Sequence, residues 1–251
     1  MNVSDLLNIL NELLHPEFFH DYGPNGLQVG DPQALVHKIA VAVTADLATI
    51  EKAIVSEANV LIVHHGIFWK GMPYPITGVV YQRVRRLIEK NIHLIAYHLP
   101  LDAHSKIGNN WKAAQDLGWQ QLEAFGSSRP SLGVKGVFPE KDIQDFIAEL
   151  SSYYQTTVLA QALGGKEKVA SAALISGGAY REVYEAKCQD VDCFITGNFD
   201  EPAWSLAHEL AINFLAFGHT ATEKVGPKAL VQHLKELGIC PVEFLDTENP
   251  F

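Results

Sequence analysis

Two adjacent imidazoles end an apolar segment in the first third of the chain. Residues 60–66 read Val-Leu-Ile-Val-His64-His65-Gly66, and a short run of aliphatic and β-branched residues is typical of a buried strand. Polar side chains that directly follow such a strand lie where α/β proteins usually build their active sites. Neutral imidazoles bind divalent metal ions, so the pair indicates a metal site. A structural role for a packed histidine is the alternative.

A histidine and a carboxylate follow a second apolar segment near the C-terminus. His219 and Glu223 come after residues 212–217 and are four residues apart. If a helix begins near His219, the two side chains lie on one helical face, and an imidazole nitrogen and a carboxylate oxygen converge as divalent metal binding requires. A weak surface pair is the alternative.

Asp102 and two further histidines follow a third apolar segment. Residues 91–97 predict a strand that leads into His98-Leu-Pro-Leu-Asp102-Ala-His104. Because Pro100 has no N–H to donate, the strand should end near His98, which places Asp102 on a loop. A metal ligand and a turn or helix cap are equally good interpretations of this carboxylate.

The orientation of side chains along a strand bears on how many metal ions His64 and His65 could bind. Neighbouring side chains of a strand point to opposite faces, so His64 and His65 are predicted to face apart and to bind different ions. Two ions about 3.5 to 4 Å apart can share one carboxylate. The longer side chain of Glu223 makes it the predicted bridge of a dinuclear centre.

Together these motifs resemble the Nif-three-like family, also called GTP cyclohydrolase I type 2 homologues. The resemblance rests on His64-His65-Gly66, Tyr97-His98-Leu99-Pro100-Leu101-Asp102-Ala103-His104, Gly218-His219-x-x-Thr222-Glu223, Asn25-Gly26-Leu27-Gln28-Val29 and Ile195-Thr196-Gly197. These motifs occur in the expected order over nearly the whole chain.

The resemblance implies two divalent metal ions per chain and a homo-oligomer in the form of a hexameric ring. In the implied ligand set, His65 and Asp102 hold one ion, His64 and His219 hold the other, and Glu223 bridges them. Mixed imidazole and carboxylate ligands suit zinc, iron, manganese, nickel or cobalt, so the sequence leaves the metal open.

Two positions depart from the family pattern. Asn198 stands where many relatives have an acidic residue, and Lys224 stands where an arginine is common. We expect neither to touch a metal ligand, so both departures bear on substrate preference. Some longer relatives have an additional central domain, and a chain of 251 residues is too short to include it.

The elements that must position these residues alternate between strand and helix, which is typical of an α/β fold. We expect two interlocked α/β domains with mixed sheets, the first completed by the C-terminal segment. Residues 1–125 plus about 212–251 are predicted to form the metal-binding domain. A linker-like stretch at 126–130 precedes a smaller α/β domain at about 126–211.

Composition excludes some classes of function. No apolar run approaches the roughly 18 residues that a membrane-spanning helix needs, and the leucine spacing of the first residues predicts an amphipathic helix rather than a signal peptide. A cytoplasmic protein is therefore expected. With 19 basic against 29 acidic residues, non-specific nucleic acid binding is not expected. A single nucleotide stays possible, because metal ions can supply local positive charge.

These observations predict a dinuclear metal-dependent hydrolase. The resemblance supplies a GTP-like, nucleotide substrate, and an unligated His98 or His104 could move protons. The alternative is a metal-stabilised hexameric ring that binds a protein or nucleotide partner without turnover. Five protein ligands leave open positions on two ions, which favours the enzyme.

Overall fold

The structure, a computed structural model, describes all 251 residues and consists of two compact units. Unit 1 comprises Met1–Leu101 and Gly226–Glu248, and unit 2 comprises Asp102–Val225 and Asn249–Phe251. The C-terminal segment completes the first unit, as the sequence predicts. The boundaries differ from the predicted ones, because strands within residues 102–125 and 212–225 pair inside the sheet of unit 2.

Strands and helices alternate along most of the chain. The α-helices are Val3–Leu14 (α1), Leu47–Val55 (α2), Gly78–Glu89 (α3), Leu99–Ala103 (α4), Asn109–Asp116 (α5), Ile143–Tyr154 (α6), Val183–Cys188 (α7), Pro202–Glu209 (α8), His219–Glu223 (α9) and Val225–Glu236 (α10). The strands are Gly26–Val29 (β1), Ile39–Thr44 (β2), Val60–His65 (β3), His93–Ala96 (β4), Gln120–Phe125 (β5), Gly133–Asp142 (β6), Ala160–Leu163 (β7), Lys168–Ile175 (β8), Cys193–Thr196 (β9), Asn213–Ala216 (β10) and Val242–Phe244 (β11). Short 3₁₀ helices lie at Pro16–Phe18 and Tyr180–Glu182.

The first helix shows how local sequence starts these elements. Asn2 accepts a hydrogen bond from the backbone of Asp5, whose carboxylate accepts one from the backbone of Asn2. This reciprocal pair satisfies two N–H groups that the first turn cannot bond internally. The buried residues of α1 are Val3, Leu6, Leu10 and Leu14. Their spacing is that of an amphipathic helix, as predicted.

Unit 1 contains a five-stranded sheet in the order β1-β4-β3-β2-β11. All neighbours are parallel except β1, which runs antiparallel to β4. The central parallel strands β2, β3 and β4 are mainly apolar and almost fully buried, as is typical of strands covered on both faces. Val63 on β3 pairs with Ala96 on β4. The residues that follow these two strands therefore emerge at the same edge of the sheet.

Unit 2 contains a six-stranded mixed sheet in the order β5-β6-β8-β9-β10-β7. The strands β8, β9 and β10 are parallel, and Ile175, Thr196 and Ala216 are aligned across them. Their carboxyl ends form a second common edge. Separate clusters of buried side chains include Phe146 in one and Phe214 in the other. No helix of either unit is long and apolar enough to cross a bilayer.

Candidate metal centre

Three imidazoles converge at the carboxyl edge of the unit 1 sheet. His64 and His65 end β3, and His98 follows β4, so the parallel register of these strands brings them together. One ring nitrogen from each of the three lies within 4.8 Å of the others. The ring centroid of His64 lies 4.6 Å from that of His65 and 4.9 Å from that of His98. This cluster could hold a metal ion.

The prediction that His64 and His65 face apart is wrong. Strand alternation directs successive Cβ atoms to opposite faces, but His65 is the last residue of β3 and the chain leaves the strand at Gly66. The two rings can therefore approach each other at an angle of 44°. Strand alternation consequently gives no support for two ions, and only the family resemblance implies a dinuclear centre.

Each ring of this cluster is oriented through its Nδ1 atom. Nδ1 of His64 donates to the backbone oxygen of Tyr97 at 3.2 Å, and Nδ1 of His65 lies 3.1 Å from the hydroxyl of Thr44. His98 Nδ1 lies 2.7 Å from a carboxylate oxygen of Asp21. Hydrogen bonds of this kind fix imidazole orientation in metal sites and leave Nε2 to bind the ion.

Sequence reasoning missed Asp21, because a lone aspartate in a polar stretch carries no distinctive spacing. Its side chain is only 3% exposed, and its Oδ2 accepts hydrogen bonds from Leu99 N and Asn25 Nδ2. Burial acts to raise the pKa of Asp21, but the hydrogen bond and charge of His98, with the other donors, hold that pKa below its ordinary value.

The motif Asn25-Gly26-Leu27-Gln28 holds the strand ends in place. Asn25 Oδ1 accepts a hydrogen bond from His98 N, and Gln28 Oε1 accepts one from Ile67 N. A Cβ at Gly66 would meet the Gln28 amide, so a larger residue there would have to displace this side chain. The motif anchors both segments that carry histidines.

In unit 2, Asp102 lies on the short helix α4 and not on the predicted loop. Pro100 is tolerated near the start of this helix, where its missing N–H has no intrahelical partner. The residue is 6% exposed. Asn109 Nδ2 and Ser176 Oγ donate to its Oδ1 at 2.8 and 3.0 Å. Such neutral donors orient a carboxylate without neutralising it, which suits a metal ligand.

His219 and Glu223 lie on one face of α9, as their spacing predicts. His219 Nε2 is 3.1 Å from Glu223 Oε1, and the Glu223 side chain is 3% exposed. When Nδ1 of His219 donates to Asn198 Oδ1, which lies 3.2 Å away, Nε2 presents a lone pair to the carboxylate. Two facing electron-rich atoms need a cation between them, either a proton or a metal ion.

The contact with Asn198 corrects the expectation that this residue touches no ligand. Residues 198 and 219 follow β9 and β10, which are parallel neighbours, so the sheet brings them together. Asn198, which differs from the residue common in the family, therefore contacts the candidate ligand His219 directly.

Thr222 and Gly177 complete the surroundings of this pair. Thr222 Oγ1 accepts a hydrogen bond from Gly177 N at 3.1 Å and lies 2.9 Å from Gly218 O, to which it can donate. Gly177 has a φ of +66°, and a Cβ there would lie 2.3 Å from Glu223 Oε1. The turn at Gly177 thus lies against the candidate ligands.

His104 lies in unit 2, after α4. Its Nδ1 accepts hydrogen bonds from Lys106 N and Ile107 N at 3.2 and 3.1 Å. A nitrogen that accepts two backbone bonds is a poor site for an incoming proton. His98, whose Nδ1 faces a carboxylate, is better suited to proton transfer.

Each unit therefore contains histidine or carboxylate side chains that could bind a metal ion. The imidazoles of unit 1 and the mixed ligands of unit 2 suit the same transition metals.

Comparison with known proteins places the chain in a family. A family model described as Duf34/NIF3 (NGG1p interacting factor 3) matches residues 1–250. A Chlamydia trachomatis serovar D protein named "GTP cyclohydrolase 1 type 2 homolog" is 79% identical over 251 residues, which is 100% of both chains. A Vibrio cholerae protein of the same name is 37% identical and also covers 100% of both chains.

Solved structures agree with this assignment. A structure described as protein ybgI, of unknown function, is 34% identical, has a TM-score of 0.93 and matches over 100% of both chains. The structure of a Thermus thermophilus protein, TTHA1606, is 33% identical and has a TM-score of 0.91, again over 100% of both chains. The chain belongs to the Duf34/NIF3 family.

Proposed function

We propose that the chain is a metal-dependent hydrolase that binds two divalent ions. In this proposal His65 and Asp102 bind one ion, His64 and His219 bind the other, and Glu223 bridges them. Asp102 is the first residue of unit 2, and Glu223 lies shortly before Val225, where the chain returns to unit 1. Both proposed carboxylate ligands therefore lie next to the points at which the chain passes between units.

The observation that carries the proposal is the imidazole cluster of unit 1. The buried ring of His64 and its neighbours His65 and His98 all have Nδ1 engaged by oxygen atoms and have ring nitrogens within 4.8 Å of one another. Clustered imidazoles that protonate together would repel one another. With Nδ1 held in this way, His64 and His65 are suited to bind a cation through Nε2, and His98 lies beside them as an unligated ring.

Bound ions of this type lower the pKa of a coordinated water and polarise the bond that is attacked. The chain itself would supply the proton transfer. We assign this role first to His98, whose Nε2 can accept a proton while Nδ1 is held by Asp21. His104 is the second candidate, and its two backbone donors make it the weaker one.

The names of the curated relatives support a nucleotide-like substrate, because those proteins are called homologues of a GTP cyclohydrolase. The protein would act on GTP or a chemically similar nucleotide, in a hexameric ring as the family resemblance implies. We place it in the cytoplasm, where its free cysteines Cys188, Cys193 and Cys240 stay reduced.

The test combines metal analysis with an activity screen. The unmodified protein should contain two ions per chain and hydrolyse GTP or another member of a panel of nucleotides, phosphoesters and cyclic amides. The Glu223→Gln variant should lose much of the metal and all measurable turnover, because a bridging ligand serves both ions. The exposed Glu12→Gln variant is the matched control and should retain both.

Two results would count against this function. Equal metal content in the Glu223→Gln variant and the parent would remove the bridging role. A fully loaded parent that leaves every compound of the panel intact would favour a metal-stabilised ring that binds a partner without turnover.

A further inference from the structure

The carboxylate of Asp21 receives four hydrogen bonds. Oδ1 lies 2.7 Å from His98 Nδ1 and 2.6 Å from Tyr22 N, and Oδ2 lies 2.9 Å from Leu99 N and 3.0 Å from Asn25 Nδ2. The backbone N–H groups and the Asn25 amide can only donate in these contacts. The carboxylate therefore acts as an acceptor on both oxygens.

This arrangement determines the tautomer of His98. An ionised carboxylate has no proton to offer, so Nδ1 of the facing ring must carry one. In the neutral imidazole, Nε2 then has the lone pair. One ring nitrogen of His98 lies within 4.8 Å of ring nitrogens of His64 and His65, and we assign it to Nε2 because Nδ1 faces Asp21.

The orientation of the ring is constrained from several sides. Asn25 Oδ1 accepts the backbone N–H of His98, while Trp69 meets the imidazole nearly perpendicularly at a centroid distance of 5.1 Å. Tyr22 lies edge-on at 6.2 Å, and its backbone oxygen accepts a hydrogen bond from Lys70 N. These contacts limit rotation of the ring.

We infer that Asp21 is a positioning residue that holds His98 in the Nδ1–H tautomer and directs its Nε2 towards the histidine pair. The part of this inference that concerns proton transfer rests on the proposed hydrolase function. In that reaction the water oxygen bonds to the electrophilic atom of the substrate while one water proton passes to Nε2. The same proton then passes from Nε2 to the leaving group as its bond breaks, and Asp21 stays ionised.

An amide at position 21 cannot replace the carboxylate. It has one acceptor oxygen for four donors, and its NH₂ group must face at least one of them. If the oxygen stays with the backbone of Leu99, the NH₂ faces His98 Nδ1 and favours the opposite tautomer. A carboxylate that merely anchored the N-terminal loop would not control which ring nitrogen is protonated.

The direct test is ¹⁵N solid-state NMR of protein labelled in its imidazole rings, with the His98 signals assigned by a His98→Gln variant. The parent should show a protonated Nδ1 and an unprotonated Nε2 at His98. Asp21→Asn should shift the population towards the Nε2–H tautomer, and Asp21→Glu should restore part of the parent pattern. Asp46→Asn, which changes a carboxylate that caps α2, is the control and should leave the His98 signals unchanged.

Kinetic measurements test the role of Asp21 in proton transfer. Asp21→Asn should lower kcat by about 10²-fold or more, with KM and metal content close to those of the parent. Loss of metal content together with activity would show a structural role and overturn the inference.

The outcomes separate this inference from the proposed function. A parent protein with Nε2–H at His98, or an Asp21→Asn variant with an unchanged tautomer, overturns the positioning role. The His98 tautomer of the parent protein tests the positioning role even if the Asp21→Asn variant fails to fold. A tautomer shift in a protein that hydrolyses nothing supports the positioning role and contradicts the hydrolase.

Discussion

At the scale of single residues, glycine decides how closely the main chain can approach the candidate ligands. Gly177 accepts hydrogen bonds at its carbonyl from Gly197 N and Asn198 N and donates from its own N–H to Thr222. Its hypothetical Cβ would also lie 3.1 Å from His219 Nε2. The glycine therefore allows a bonded turn to lie directly against the imidazole and carboxylate.

We predict that Gly177→Ala weakens metal binding by about 10- to 100-fold, in the range seen when neighbours of metal ligands are changed. The new methyl group must displace the Glu223 carboxylate, and the left-handed backbone adds about 1–2 kcal/mol of strain. Competition with a chromophoric chelator measures the affinity. Gly71→Ala is the matched control, because Gly71 has a φ of +86° with nothing within 4 Å of the added Cβ. Equal affinities in the two variants would contradict the prediction.

At the scale of elements, parallel register does most of the positioning. The aligned ends of β3 and β4 place three histidines at one edge, and those of β8, β9 and β10 place Ser176, Asn198 and His219 at another. Asp192 joins the same three strands near their opposite ends. Its carboxylate accepts from Ala170 N and Ser171 Oγ, and its backbone oxygen accepts from Asn213 N.

Asp192 gives unit 2 a pH-dependent contribution to stability. Burial acts to raise the pKa of Asp192, but hydrogen bonds from Lys166, Ala170 and Ser171 and the charge of Lys166 hold that pKa below its ordinary value of 3.8. A carboxylate with a depressed pKa stabilises the folded state above its unfolded pKa. This stabilisation is lost as the pH falls through the lower, folded pKa.

We therefore predict that Asp192→Asn lowers the free energy of unfolding by about 1 kcal/mol at pH 7, mainly through weakened hydrogen bonds. The exposed Lys166 amine adds little because solvent screens it. Urea denaturation from pH 7 to pH 3 should show a constant difference down to about pH 4 and a shrinking one below it. A difference that grows on acidification would refute this account.

At the scale of the whole molecule, two α/β units share one chain that passes from unit 1 to unit 2 and back. Asp102 and Glu223 lie beside the two main crossing points. Metal bound at the proposed ligands would add its binding energy to the stability of the folded chain, because the site is absent from the unfolded state.

The proposed hexamer is tested on the unmodified protein. Sedimentation equilibrium at micromolar concentration should give a particle of six times the 27.7 kDa chain mass. Closed point-group symmetry makes a single discrete species the expected result. A monomer or dimer at this concentration would exclude the ring, whatever the outcome of the metal analysis.

The sequence by itself determined those features that depend on local periodicity. Apolar segments ending in polar residues predicted β3, β4 and β10. The four-residue spacing of His219 and Glu223 predicted that they lie on one helical face, where the structure places Nε2 and Oε1 3.1 Å apart. These predictions hold because a strand repeats every two residues and a helix about every 3.6, so nearby residues determine them.

Only the tertiary structure decided which distant segments meet. Asp21 reaches His98 because β1 pairs with β4, and Asn198 reaches His219 because β9 lies beside β10. The convergence of His64 and His65 likewise depends on how the chain leaves β3, where strand alternation no longer applies. Sheet order and register are set by the packing of the whole chain, and no spacing within one segment encodes them.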